Sequence, residues 1–434
     1  MKKFLILDGN SIINRAFYGI RPLSTKSGIP TNAVYGFLTI IKKHLDALNP
    51  DYIACAFDVH QPTFRHLEYA DYKGNRKGMP DELKVQMPYA KRAAASLGFL
   101  VIECPGFEAD DVIGTAAGMA DDSGEIETYI LTGDRDSLQL INKTTSVVLA
   151  KTKEDILFNE SHFKEEYGIT PTQFIDVKAL MGDSSDNIPG VAGIGEKTAL
   201  KLIAAAGSLD ALYADEKFFG QSQSVCKKLS DGKESAFMSK ELATIRRDAP
   251  IMPAEEIFTH REIDKTEFSA ICEELEFSGM AKRFGIDNDT HEEDKKSAES
   301  ITVKAEEGAD IAKLRLNTPA AVSIRDHEAA VCTEDGTLIH YSGITANGIT
   351  EFIRNNRIIC HDYKGLLRSL HVSGEDTACI YDTMIAAYLI NPGKSKYLLS
   401  DVSLEYTGKE CDSVLAEAQS VIEIFRNTSK LLEE

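Results

Sequence analysis

The chain has 434 residues, 43% of them hydrophobic and 27% charged, with a formal net charge of −20. That length suffices for two or three domains, each burying its own core, and the composition excludes a fibrous or wholly disordered chain. Eight cysteines at 55, 104, 226, 272, 332, 360, 379 and 411 show neither CxxC nor metal-ligand spacing, which argues against a disulfide framework or a zinc site and for reduced core thiols in the cytoplasm.

At the start, MKKFLILDGN sets two lysines before an apolar run. Phe4 to Leu7 is too short for a signal-peptide core, and no later stretch approaches a membrane span, so a soluble protein is expected. Apolar runs then alternate with amphipathic ones. FLIL (4–7), YIACAF (52–57), FLVI (99–102), TYILT (128–132) and VVLA (147–150) predict short buried strands, and 31–48, 81–97 and 109–120 carry helical spacing. This alternation predicts an α/β fold with a parallel sheet. Further on, GVAGIGEKTALKLI (190–203) predicts a glycine-rich turn opening a helix. DNDTHEEDKKSAES (287–300) has no apolar periodicity and predicts a linker. Beyond it, AAVSI, AAVC, TLIHY and RIIC predict strands and 362–371 and 382–390 helices, a second α/β domain at 301–434.

Carboxylates collect at the ends of the first set of strands: Asp8, Asp58, Glu108, Asp110, Asp111, Asp134, Asp136, and then Asp183 and Asp186 in MGDSSDN. Any one of them is ordinarily a cap or a turn residue. Five clusters at equivalent positions exceed what turn chemistry explains, and they fall at the carboxyl edge, where open α/β sheets hold their sites. Nine converging acids repel one another unless concentrated positive charge sits among them, and oxygen-only ligands point to Mg²⁺ or Mn²⁺. The net charge argues superficially against a polyanionic partner, but residues 61–100 carry seven Lys/Arg against four Asp/Glu. A haloacid-dehalogenase phosphatase, with Asp8 as nucleophile, fits part of the pattern. It needs an acid where Asn10 stands, and it leaves Asp58 and FEADD without a role.

LDGN, AFD, YKGNRKGMP, GFEADDVIGT, LTGDRDSLQL and MGDSSDNIPGVAGIGEKTA, in this order and spacing, closely resemble the 5′-nuclease (flap endonuclease) domain at the N-terminus of bacterial DNA polymerase I. The resemblance covers about residues 1–290. It implies a PIN-like α/β catalytic part at 1–170 with a helical arch near 68–95, and a helix-hairpin-helix DNA-binding part at 171–286. It further implies two or more divalent ions held by the nine acids. One is held mainly by Asp110, Asp111 and Asp134, with Asp58 and Glu108 partly through water; a second lies nearer Asp136, Asp183 and Asp186, and Asp8 supports the centre from the sheet. Lys73 and Arg76, one helical turn apart, would contact the scissile phosphate, with Lys77 beside them and Tyr72 stacking on an unpaired base. Gly193, Gly195, Lys197 and Thr198 would grip the duplex backbone, with a monovalent cation at the hairpin. The expected partner is flapped, nicked or forked DNA, including RNA–DNA primer junctions, cut by a monomer at the nucleoid. A non-catalytic DNA-binding module with a decayed metal site is the other reading, and nothing in the nine acids suggests decay.

DTMIAAYLINP and YLLSDVSLEYTG resemble the 3′-5′ exonuclease-like, RNase H-like domain of the same polymerases. The active pattern is broken: Asp326 and Glu328 lie beyond the strand AAVSI, and Tyr363 stands where an aspartate belongs, with Asp362 displaced by one. No 3′-5′ activity is expected, and Asp362 and Asp382 read as surface or capping groups. The polymerase domain does not follow, so no nucleotide addition is expected. The end in VIEIFRNTSKLLEE, without a C-cap signal, reads as a fragment of a longer polymerase.

Overall fold

Lys2–Asp8 reads KKFLILD, and Phe4, Leu5, Ile6 and Leu7 are shut off from solvent entirely. A strand apolar on both faces needs cover on both. In the computed structural model this segment is β1, central in a six-stranded sheet. The structure describes residues 1–286 except 77, 152–154, 216–219 and 278, and residues 303–433 except 306–310, 326, 372–378, 391–395, 408, 410 and 412.

In chain order the first elements are β1 (Lys2–Asp8), α1 (Gly9–Gly19), α2 (Asn32–Leu48), β2 (Tyr52–Ala56), α3 (Phe64–Glu68), α4 (Asp81–Ser96), β3 (Leu100–Ile102), α5 (Ala109–Ser123), β4 (Ile126–Thr132), β5 (Thr145–Leu149), β6 (Ile156–Phe158) and α6 (Glu160–Tyr167). The strand order is β3-β2-β1-β4-β5-β6. The first five strands run parallel, as the alternation predicts, and β6 pairs antiparallel on β5. The order reverses between β2 and β4 about β1, so the loops after β1 and β4 part and open a crevice at the carboxyl edge.

A helical layer follows: α7 (Gln173–Met181), α8 (Glu196–Ala206), α9 (Leu209–Ala214), α10 (Gln223–Asp231), α11 (Lys233–Ala243) and α12 (Ala254–Ile257); next along the chain come α13 (Lys265–Glu274) and α14 (Met280–Arg283). Val177, Leu180, Leu202 and Ile203 of this layer share one apolar cluster with Ile130 and Leu138 of the sheet layer. That common core brings the segment after α7 to the sheet edge. The segment is closed on itself by Asp183 and Ile188, which exchange backbone hydrogen bonds of 2.9 and 2.8 Å.

Residues Met1–Ile271 and Cys272–Glu434 form two compact units. In the second, β7 (Val303–Ala305), β8 (Ala320–Arg325), β9 (Glu328–Thr333), β10 (Leu338–Ser342), β11 (Ile358–Cys360) and β12 (Cys379–Asp382) form a mixed sheet in the order β12-β11-β8-β9-β10-β7. Its helices are α15 (Ala346–Asn355), α16 (Tyr363–Leu370), α17 (Thr383–Ile390), α18 (Leu399–Thr407) and α19 (Val414–Glu433). Val421 and Ile422 of α19 pack on Ala321 and Ala330 of β8 and β9. The expected linker 287–300 and Asp326 lie outside the described residues. Among the described residues no helix is long and apolar enough to cross a membrane.

The turn after α7 depends on two glycines. Gly182 and Gly190 have φ of +70° and +59°, and a Cβ on Gly190 would lie 2.3 Å from the Gly182 nitrogen. Gly190→Ala is therefore expected to cost about 2 kcal/mol or more, since both the backbone region and the space exclude a side chain. Thermal or urea melts of the variant check this.

Candidate active site

Asp8 ends β1 and caps α1. One of its oxygens accepts the Ser11 N–H at 2.9 Å and the other the Thr132 hydroxyl at 2.8 Å, a bond that joins β1 to the end of β4. Thr132 Oγ1 in turn accepts the Asp134 N–H at 3.0 Å, and Asp134 accepts the Asp136 N–H at 2.9 Å. From the next strand, Asp58 accepts the Ala109 N–H at 2.8 Å, which fixes the first turn of α5 and so Asp110. Asp58 itself stands exposed at the rim.

Two groups of cations flank this centre. On one side Lys73 Nζ lies 2.8 Å from Glu108 Oε1 and 3.8 Å from Asp186, and Arg76 pairs with Asp186. The Tyr72 hydroxyl bridges Glu108 and Asp186 at 3.0 and 3.2 Å. On the other side Lys178, buried on α7, lies 2.5 Å from both Asp136 and Asp183. Among the described residues, Asp8, Asp58, Asp110 and Asp134 have no cation within 4 Å.

The electrostatics follow this division. Burial, with Asp58 and Asp134 nearby, raises the Asp8 carboxyl to about 7 against the bonds from Ser11 and Thr132. Asp110 is pushed well above the ordinary range by burial, Asp8 and Asp134. Asp136 rises to about 6 through burial and Asp134, which outweigh Lys178. Asp183 goes the other way, to about 2, because Lys178 and Ser185 overcome its burial. The carboxyl groups that burial and neighbouring acids raise, Asp8 and Asp110, are thus among those without a cation partner.

A cleft of about 560 Å³ leads from this centre along Asp134, Asp136, Lys178 and Asp183 to Gly195 and Glu196 at the start of α8. There Gly195 caps α8, Lys197 is exposed on the first turn, and Thr198 is partly buried beside it. Gly193 has φ +79°, and the Lys228 side chain fills the space a Cβ would take. Arg135 pairs with Glu196 at 2.7 Å across the cleft.

Residues 3–168 match the family described as 5′-3′ exonuclease, N-terminal resolvase-like domain, and residues 169–266 match its C-terminal SAM fold. Residues 3–266 belong to the 5′-3′ exonuclease family. DNA polymerase I of Caldicellulosiruptor bescii is 36% identical over 431 residues, which cover 96% of this chain and 50% of that protein. DNA polymerase I of Bacillus subtilis is 37% identical over 423 residues, 93% of this chain and 47% of its own length. The chain thus spans about half the length of these relatives. Among solved structures, the T5 D15 protein co-crystallized with metal ions overlays 64% of this chain and 100% of its own at 18% identity, with a TM-score of 0.48.

Within the exonuclease unit, the structure brings Asp8, Asp58, Glu108, Asp110, Asp134, Asp136, Asp183 and Asp186 to one edge, together with Lys73 and Arg76. Three expectations are corrected. Asp111 is not part of the open centre: it is fully buried, and its oxygens accept from Arg65 Nη2 (2.8 Å), Arg65 Nη1 (2.7 Å), the Arg246 N–H (2.9 Å) and the Glu108 N–H (3.0 Å). Four acceptor sites are used, which leaves none for a ligand. Tyr72 is buried, with its ring edge-on to His66 at 5.3 Å, and presents no face for a base. Lys73 and Arg76 do not lie on a helix; they leave a run of turns in which Lys73 has φ +53°. Lys77 lies outside the described residues. The sequence reading also missed Lys178 and Arg65, whose only signal was a cation set among apolar neighbours in DVKALM and TFRHLE.

The donors fit a hard cation chemically, being all oxygen and mutually repelling. As placed, no three or more His, Cys, Asp or Glu among the described residues form a ready metal-holding group.

In EDTA, Asp110→Asn is expected to raise the melting temperature by a few degrees, because it removes a charge that its surroundings oppose. Asp110 has a raised folded-state value, so the stability it contributes is present at low pH and lost as pH rises, and the gain should grow from about pH 4 upward. Asp111→Asn should instead cost about 3 kcal/mol by leaving Arg65 incompletely paired. Melts of both variants across pH distinguish the two acids.

Proposed function

We propose that the chain is a divalent-metal-dependent 5′-nuclease that hydrolyses phosphodiesters at 5′ flaps, nicks or forks in DNA, primer junctions included, as the N-terminal part of a DNA polymerase I. The observation that supports this most is the convergence of eight acids from separate loops on the crevice edge of a 5′-3′ exonuclease-family unit. Mg²⁺ or Mn²⁺ would be held by Asp8, Asp110 and Asp134 at the centre, by Asp136 and Asp183 on one flank, and by Glu108 and Asp186 on the other, with Asp58 at the rim. When bound, two such ions supply an activated water and neutralise the charge developing on the phosphoryl group.

The remaining work falls to the chain's own residues. Lys73 and Arg76 already reach across the acids, and exchanging a carboxylate for a phosphate oxygen would put their charge on the scissile group. Lys178 holds Asp136 and Asp183 in a fixed relation. The turn at Gly193 and Gly195 presents the N–H groups of α8, with Lys197 and Thr198 beside them, to a duplex backbone, a contact that carries affinity without sequence preference. A monovalent cation at this hairpin, a monomeric state and action at the nucleoid belong to the same reading.

We read the second unit as a degenerate 3′-5′ exonuclease-like, RNase H-like domain without 3′-5′ activity. Its retained acids both accept backbone N–H groups. Asp362 accepts the Gly365 N–H at 3.0 Å and caps α16, and Asp382 accepts the N–H groups of Asp362, Tyr363 and Met384 at 3.2, 2.8 and 2.9 Å.

With a 5′-flap DNA and Mg²⁺, cleavage near the junction is expected, abolished by EDTA and lowered about 10²–10³-fold or more by Asp110→Ala or Asp183→Ala. Cleavage that survives both substitutions would overturn the assignment. Lys197→Ala should weaken duplex binding about equally across sequences and reduce the slope of log K against log salt by about 1, measured by fluorescence anisotropy.

A further inference from the structure

Beneath the carboxylate edge lies a guanidinium that neither substrate nor metal would touch. Arg65 on α3 is 3% exposed, and its donors all point inward. Nε reaches Leu242 O at 2.8 Å, and Nη2 reaches Thr244 O at 2.7 Å and Asp111 Oδ1 at 2.8 Å. Nη1 reaches Asp111 Oδ2 at 2.7 Å and Glu108 Oε2 at 3.4 Å. This is a bidentate carboxylate fork with two carbonyl acceptors added, an arrangement a lysine ammonium cannot reproduce. The pair is internally neutral, so it lends the centre no net charge. What it fixes is position: α3, the start of α5 and the end of α11 meet on one side chain.

Glu108 hangs from that junction twice. Its N–H donates to Asp111 at 3.0 Å, and its side chain takes the longer contact from Arg65 itself. Its other contacts, Tyr72 and Lys73, come from the basic segment that would meet DNA. Held only by that segment, Glu108 would move whenever substrate drew Lys73 away. We infer that Arg65, through Asp111, is a positioning residue that keeps the Glu108 carboxylate in register with Asp110 and thereby sets the affinity of the centre for a divalent cation. This rests on the metal-dependent nuclease reading above.

The test uses the full 434-residue chain with Mn²⁺ as probe. Free Mn²⁺ is measured by electron paramagnetic resonance without DNA, beside kcat and KM on a 5′-flap substrate. Arg65→Lys is expected to weaken Mn²⁺ binding about 10-fold or more and to lower kcat at saturating DNA, with KM for DNA within about twofold. In that background Glu108→Gln should add less than about threefold, because the carboxylate is already out of register. Where Arg65→Lys melts below the assay temperature, Asp111→Asn carries the same expectation, since it keeps the side-chain volume and halves the fork. Arg65→Lys that lowers Tm yet leaves Mn²⁺ binding and kcat within twofold overturns the proposal, as do fully multiplicative effects of Arg65→Lys and Glu108→Gln. A wild-type chain that binds no Mn²⁺ and cuts no flap overturns the nuclease reading and the proposal together, whereas wild-type binding that Arg65→Lys leaves unchanged overturns only the proposal.

Discussion

Mutual repulsion among carboxylates at the carboxyl edge of a parallel sheet is the constraint to which the rest of the first unit answers. Asp8, Asp110 and Asp134 stand where β1, α5 and β4 must bring them, and the low polarizability of the buried sheet beneath leaves Asp8 and Asp110 poorly screened by water. The surroundings meet this charge in graded fashion. Cations take the outer acids, the buried Lys178 on one flank and the half-buried Lys73 with the exposed Arg76 on the other, while the inner acids are held by hydroxyls and backbone N–H groups that orient them without neutralising them. The count of nine acids in the sequence therefore overstates the charge open to a ligand. Asp111 belongs to a closed ion pair, and four of the others already have a partner.

That distinction could not be drawn from residue order alone. The parallel strands were legible because FLIL, YIACA and TYILT are largely apolar runs, and Asp8, Asp58 and Asp134 because each stands within two residues of the end of one of them. Asp110 and Asp111 are adjacent and chemically identical in sequence, yet a helix turns successive side chains by about 100°. One therefore faces the crevice and the other the interior. Which is which depends on Arg65, 46 positions earlier, and on the Arg246 N–H, 135 positions later. Tyr72 was misread for the same reason: a tyrosine beside lysines looks like a stacking platform until the acids its hydroxyl bridges, Glu108 and Asp186, are seen to come from distant loops. The antiparallel β6 also left no sign, since ILF is too short to show alternation.

The two units contrast in how they use aspartate. In the second, Asp382 accepts the N–H groups of Asp362, Tyr363 and Met384 and Asp362 that of Gly365, and neither acid has a cation partner within 4 Å among the described residues. An acid whose lone pairs all face N–H groups contributes to folding and adds nothing to binding. The same accounting that removes Asp111 from the open centre applies to Asp382, both of whose oxygens accept backbone N–H groups.

Lys178 has a mechanical consequence as well as an electrostatic one. It grows from the last turn of α7, while Asp136 stands on the turn after β4 and Asp183 on the loop that α7 itself leads into. A single ammonium 2.5 Å from each ties the turn after β4 to α7 and to the loop that α7 carries. Displacement of the layer that carries the hairpin is in this way transmitted to the loops bearing the acids, with no mobile lid needed between them.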